Sequence, residues 1–276
     1  MFGYEMVFVH GANAGPWIWT PWPAFFTEAG WSVRTLTLPG HAPGDADPHD
    51  GLDDYVDALE DFVHTPEKTV IVAHSMGGWV TMKYMEKHRV AASVLVAPLP
   101  IEGLPGRARN ALSGMAPLTM LRVTLFGSPL QMVREDWVRR ICFRDDTDPV
   151  VVRRVWENMG LESGRACRQM SFMRFYRFTG LGIRKKRLAR TQAGIPHLIV
   201  ASESDFYFRP GDLEGTARVL HAEMLPLKNM PHCMVQEDKE FKLAERIKAW
   251  LANRVGEAAG APPQRPFQRL DEEAKP

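Results

Sequence analysis

A serine that opens a helix directly after a short apolar strand is well placed to act as a nucleophile. The run Val70-Ile71-Val72-Ala73-His74-Ser75-Met76-Gly77-Gly78-Trp79-Val80 has that form. Small residues stand two before Ser75 (Ala73) and two after it (Gly77). A sharp strand-to-helix turn demands this, because larger side chains there would strike the neighbouring strand and helix. The helix N-terminus adds free N–H groups and a dipole that favour developing negative charge. A hydroxyl is a poor nucleophile until a base takes its proton, so a histidine is needed. Those after Ser75 are His88, His197, His221 and His232. His88 closes the helix that follows the serine, and His197 and His221 stand at the beginnings of predicted strands, at the opposite edge from the turn. His232 lies in the loop 228–233, after the last predicted strand, where loops at strand C-termini converge on one crevice. It is the candidate base. Two acids, Glu203 and Asp205, follow the penultimate predicted strand and are candidates to orient it. The chemistry expected is two-step acyl transfer, with a backbone N–H after the nucleophile, that of Met76, holding the oxyanion.

Three further stretches carry a resemblance. Phe8-Val9-His10-Gly11-Ala12, Gly15-Pro16-Trp17-Ile18-Trp19 and Leu38-Pro39-Gly40-His41, taken with the serine turn, resemble the α/β-hydrolase superfamily over most of residues 6–251. The tryptophan stretch is similar to that of its esterase and hydroxynitrile-lyase branch. The chain departs from the pattern in carrying Ala73 where Gly is usual. The resemblance implies a Ser75, Asp205 and His232 triad, with Ser202 replacing the Gly of a Gly-x-x-Asp turn and Glu203 as the second candidate acid. It also implies Ala12 N–H as the other oxyanion donor and His10 as a brace for its loop. Asn13, Trp17 and Trp19 are expected at the substrate pocket. The implied activity is that of a serine hydrolase cleaving a carboxylic ester of a small to medium, largely apolar substrate through an acyl-enzyme. A carbon–carbon hydrolase, lyase, thioesterase, acyltransferase or receptor-like slow hydrolase would use the same residues. For a lyase, an extra cation beside the serine is wanted, and no lysine stands out. No cofactor and no metal are implied.

These residues need elements to hold them. Short apolar runs at 6–9, 32–36, 70–73, 92–97, 197–201 and 222–225 read as strands, several of them continuous as in strands buried on both faces. Helical spacing marks 52–63, 79–88, 213–220 and 241–255. The alternation predicts an α/β fold, a doubly wound, mostly parallel sheet of about six strands, without the antiparallel hairpin that many relatives place first. The rhythm breaks between the fourth and fifth strands. Residues 1–98 and 192–255 are therefore expected to form the core, 99–191 a mostly helical cap, and 256–276 a disordered tail.

Composition fits a globular enzyme: 45% hydrophobic and 24% charged residues, with a formal net charge of +1 that gives no general attraction to nucleic acid. Within residues 100–191, however, Lys and Arg outnumber Asp and Glu by about ten. That surplus reads either as solvated helix faces or as an attraction for anionic substrates. Cys142, Cys167 and Cys233 lack disulfide or zinc spacing and are expected as free thiols of a cytoplasmic protein. No run has membrane-spanning length. A small-molecule substrate is expected, and a homodimer is possible. His41, Asp45, Asp47, His49 and Asp50 are expected to form a solvated acidic rim rather than a metal site.

Overall fold

The computed structural model of the chain describes residues 3–42, 49–126, 128–131, 134–176 and 179–258. In chain order the first half comprises β1 (Glu5–Val9), α1 (Trp22–Glu28), β2 (Ser32–Leu36), α2 (Leu52–Phe62), β3 (Thr69–His74), α3 (Met76–Tyr84) and β4 (Ala92–Val96). Seven helices follow among the described residues: α4 (Gly106–Met115), α5 (Pro117–Phe126), α6 (Glu135–Cys142), α7 (Pro149–Asn158), α8 (Gly164–Ser171), α9 (Met173–Tyr176) and α10 (Lys185–Thr191). The chain then returns through β5 (His197–Ser202), α11 (Pro210–Leu220), β6 (Glu223–Leu227), α12 (Met234–Glu237) and α13 (Lys242–Ala258).

The strands form one six-stranded sheet in the order β2-β1-β3-β4-β5-β6. Every pairing is parallel. Successive side chains of a strand point to opposite faces, so each inner strand feeds two cores. Met6, Phe8, Val70, Val72, Val94, Val96, Leu198 and Val200 meet Trp22 and Phe26 of α1 and Ile247, Trp250 and Leu251 of α13 on one face. Val7, Val9, Ile71, Ala73, Leu95, Ile199 and Ala201 meet α2, α3 and α11 on the other. Burial on both faces explains why these strands lack alternation.

The expected elements differ mainly at their ends. The helix after Ser75 begins at Met76, not at residue 79, because the turn itself starts it. The last helix runs to Ala258, so the expected tail begins inside it, and residues 259–276 lie outside the described residues. Between β4 and β5 the only pairing of the described residues is an isolated antiparallel bridge, Leu130 to Glu162. The three cysteines are free and buried. No described helix is long and apolar enough to cross a membrane.

Candidate active site

The chain steps from β1 outward to β2, then back to β3 on the other side of β1. This reversal opens a crevice beyond the C-terminal ends of β1 and β3, where ligands of open α/β sheets bind. Pairing of Val9 with Ala73 carries the strands past their ends with Gly11 opposite Ser75. The approach is close: a Cβ on Gly11 would lie 2.8 Å from Ser75 Cβ. At Gly77 a Cβ would come within 2.4 Å of the His10 carbonyl oxygen and 2.6 Å of that of Val9, so the requirement for a small residue there is backbone against backbone.

Ser75 sits at φ 53°, ψ −122°, a conformation that costs an L-residue about 1–3 kcal/mol. Backbone bonds hold it: Ser75 N–H donates to Val96 O at 3.1 Å, and Ser75 O accepts from Gly78 N–H at 2.9 Å and Leu99 N–H at 2.8 Å. The side chain is thereby lifted off the sheet end toward His232, whose Nε2 lies 3.0 Å from Ser75 Oγ. His232 Nδ1 lies 2.9 Å from Asp205 Oδ2. The other oxygen of Asp205 accepts from Tyr207 N–H at 2.6 Å and Phe208 N–H at 2.9 Å. A carboxylate only accepts, so the imidazole proton sits on Nδ1 and the Nε2 lone pair faces the serine O–H. Asp205 and His232 are 1% and 5% exposed, whereas Glu203 is exposed. Ser202, in place of the usual Gly, is fully buried and braces the two loops, its Oγ accepting from Ser204 N–H at 3.3 Å and Met230 N–H at 3.1 Å. As the first residue of α3, Met76 has no acceptor for its N–H within the helix.

His88, His197 and His221 do not join this group. His88 pairs with Glu60 at 3.0 Å, His197 faces Ser93 Oγ at 2.9 Å, and His221 closes α11 in the left-handed region at φ 50°. His10 is a brace: its Nδ1–H donates to Gly11 O at 2.9 Å and its Nε2 accepts from Leu38 N–H at 3.1 Å. Burial, then the nearby His41, push its pKa down to about 3, so it stays neutral. His74 braces the loop of His232, donating from Nε2 to the His232 carbonyl at 3.0 Å. Burial, then His232, push it down to about 3.

A cavity of about 340 Å³ opens over Ser75. Ser75, His232, Ala12, Asn13, Met76, Tyr207 and Phe208 line it on the side of the sheet, and Leu112, Met115, Met120, Val123, Trp137, Ile141, Met159, Met170 and Phe172 supply most of the rest. Asn13 lies on this lining, but Trp17 and Trp19 do not. They stand in the short 3₁₀ turn Pro16–Trp19. Trp19 is fully buried against Phe8, with centroids 4.8 Å apart, and against Trp22 at 5.9 Å, while Trp17 packs on the same core. The apolar sheet face takes these rings, and the 3₁₀ turn offers Ile18 to the cavity instead.

The motifs gave no hint of Glu162. Fully buried, its carboxylate accepts from Tyr55 O–H at 2.8 Å, Ser163 N–H at 3.0 Å, Asn13 N–H at 3.1 Å and His41 Nε2–H at 3.1 Å. His41 is no part of a solvated rim: its side chain is 2% exposed, and its Nδ1–H donates to Pro39 O at 2.7 Å. Both ring nitrogens face acceptors, so the ring is an imidazolium. Burial pulls its pKa down, but the bond to and charge of Glu162 outweigh this and raise it. Burial and then Glu162 raise the Tyr55 pKa, keeping the phenol protonated as a donor. Asn13, at φ 56°, completes the junction by donating from Nδ2 to Leu130 O at 2.8 Å and Gly160 O at 2.9 Å. The partners of Glu162 lie 107 to 149 residues away along the chain, Ser163 excepted, so no local spacing could reveal them. Of the expected loop cluster, Asp45 and Asp47 lie outside the described residues. Among the described residues no group of three or more His, Cys, Asp or Glu is placed to hold a metal ion.

A parallel sheet with a serine turn after β3 and an acid and a histidine after β5 and β6 has the architecture of the α/β-hydrolase fold. The chain belongs to the alpha/beta hydrolase family, whose model matches residues 6–245. Methylesterase 18 of Arabidopsis thaliana is 28% identical over 122 residues, a match spanning 41% of this chain and 46% of that protein. Two solved structures share the fold. A methylesterase, MES16 from Arabidopsis, has a TM-score of 0.63 at 14% identity, covering 90% of this chain and 98% of that one. An extracellular alpha/beta-hydrolase from a Paenibacillus species has a TM-score of 0.66 at 14% identity, covering 88% and 96%.

Proposed function

We propose that this protein hydrolyses carboxylic esters of small to medium, largely apolar acyl or alcohol groups through an acyl-enzyme on Ser75. The observation that carries this reading is the unbroken hydrogen-bonded line Ser75–His232–Asp205 beneath an apolar cavity. The Ser75 oxygen attacks the ester carbonyl carbon while its proton passes to His232 Nε2. The carbonyl electron pair moves onto oxygen, where the N–H groups of Ala12 and Met76 receive it. Asp205 stabilises the imidazolium and keeps its tautomer. As the tetrahedral centre collapses, the proton on Nε2 goes to the departing alkoxide and the alcohol leaves. Water then repeats the sequence on the acyl-serine, with His232 as its base, and frees the acid. The partial match to a methylesterase agrees in bond type.

The test is a chain-length panel of p-nitrophenyl esters run beside a fluorophosphonate label. Wild type should turn over short and medium esters and take the label at Ser75. Ser75→Ala should lose the label and about 10³–10⁶-fold in kcat. Labelling without ester turnover would redirect the reading to another bond, and wild-type esterase activity in purified Ser75→Ala would overturn the mechanism.

A further inference from the structure

One wall residue of the cavity has no place in that mechanism. Among the described residues that line it, Arg109, on α4, is the only lysine or arginine, and there is no aspartate or glutamate. A single guanidinium bond is satisfied within the wall, from Nη1 to Ser171 O at 3.1 Å. The Arg109 Cζ also lies 5.8 Å from the Phe172 ring centroid, which holds the head group against the wall. No carboxylate pairs with it among the described residues. The neighbouring acids are taken: Asp212 pairs with Arg107 at 3.3 Å and accepts from Arg209 N–H at 3.0 Å, and Glu102 pairs with Lys185. Asn110, Ser113 and Ser171 also line the cavity, adding polar groups to a lining that is mostly apolar. Arg109, Leu104, Ser171 and Phe172 further border a second cavity of about 690 Å³, so the arginine stands where the two spaces adjoin.

Building on the ester-hydrolase reading, we propose that Arg109 is a specificity-determining residue. The preferred substrates are then esters with an apolar middle and an anionic end, a carboxylate or a similar group. The ester carbonyl lies at Ser75 and the anion pairs with the guanidinium. Three observations converge. A cation beside apolar walls acts through a low local dielectric and is worth more than one in open water. Its planar fork leaves donors free to take an oxyanion in a paired contact. The surplus of about ten positive charges across residues 100–191 draws anions toward the same side of the molecule. A cavity of about 340 Å³ is at the small end of ligand sites, which limits the apolar span between the two ends.

The experiment compares mono-p-nitrophenyl adipate with p-nitrophenyl hexanoate, which have the same acyl carbon count and differ in the terminal charge. Wild type should favour the adipate in kcat/KM by about tenfold or more. Arg109→Gln should lower the adipate-to-hexanoate ratio by about 10–100-fold, Arg109→Lys should recover part of it, and about 0.5 M NaCl should lower it in the wild type. The salt series needs no variant and stands if Arg109→Gln fails to fold. Turnover of hexanoate with no preference for adipate, or a preference that persists in Arg109→Gln and in high salt, overturns the assignment while leaving the esterase intact. Failure of both esters together with no labelling at Ser75 overturns the ester reading and this assignment with it.

Discussion

Asp205 shows how much of the site's chemistry is set by which atoms a side chain can reach. One carboxylate oxygen is held by two backbone N–H groups and the other by His232 Nδ1. The acid is thus fixed from behind and cannot rotate away from the imidazole. Asp205→Asn keeps the shape but can turn an amide N–H toward Nδ1, which favours the tautomer with its proton on Nε2 and no lone pair for the serine. It should lower kcat by about 10³–10⁴-fold with little change in fold. Glu203→Gln, at an exposed position, should leave turnover near wild type. Stopped-flow or steady-state rates on one ester check both, and equal losses would remove Asp205 from its role. Ser75 and His232 were legible in the sequence because each follows a strand that can be recognised locally. The acid needed the resemblance, because Glu203 and Asp205 follow the same strand and only the fold of residues 202–208 decides which one turns inward. Trp17 and Trp19 misled because a Gly-x-Trp-x-Trp pattern places aromatics after β1 without saying which way a 3₁₀ turn points them.

At the scale of elements, the segment between β4 and β5 is joined to the sheet at the loop that carries Ala12. Asn13 and the 160–162 stretch exchange bonds there: Asn13 N–H donates to the Glu162 carboxylate at 3.1 Å, and Gly160 N–H donates to Asn13 O at 3.1 Å. Glu162 also carries the His41 imidazolium and the Tyr55 hydroxyl, so one buried carboxylate ties α2, the 38–41 loop and the loop after β1 together. Removing one partner of a buried pair leaves the others desolvated and unmatched. Glu162→Ala should therefore cost about 3–5 kcal/mol of stability. Glu162→Gln, which keeps an acceptor and loses the charge, should cost less, about 1–3 kcal/mol. Urea unfolding measures both, and a loss under about 0.5 kcal/mol for the alanine variant would show that the junction contributes little. Where Glu162→Gln remains folded, kcat should fall more than KM rises, because in the proposed mechanism the Ala12 peptide acts on the oxyanion and not on the ground-state ester. The six strands and the break in their rhythm were legible from apolar runs alone. The junction was not, since it is assembled from residues over a hundred positions apart, each unremarkable in its own stretch of chain.

For the whole molecule, buried histidines set the response to pH. Burial, followed by neighbouring charge, pushes His10 and His74 down to about 3, and burial, then Arg89, places His197 at about 4. In the unfolded chain each titrates near 6.5. Between these values the unfolded state binds protons that the folded state does not, so stability falls as pH falls. Each ring contributes a slope of up to about 1.4 kcal/mol per pH unit, and the three together up to about 4. His41 acts in the opposite sense: its folded pKa is raised, so its contribution is complete below about pH 6.5 and is lost as pH rises through the folded value. Stability should therefore peak between these two effects, close to neutrality on the acid side. Urea unfolding at about pH 7.5, 6.5, 5.5 and 4.5 should show a loss of several kcal/mol over the last two units. His197→Gln, at the end of β5 away from Ser75, should make that acid slope shallower by about 1.4 kcal/mol per unit. An acid slope unchanged by this substitution would mean that the ring is not held neutral by its burial between β4 and β5.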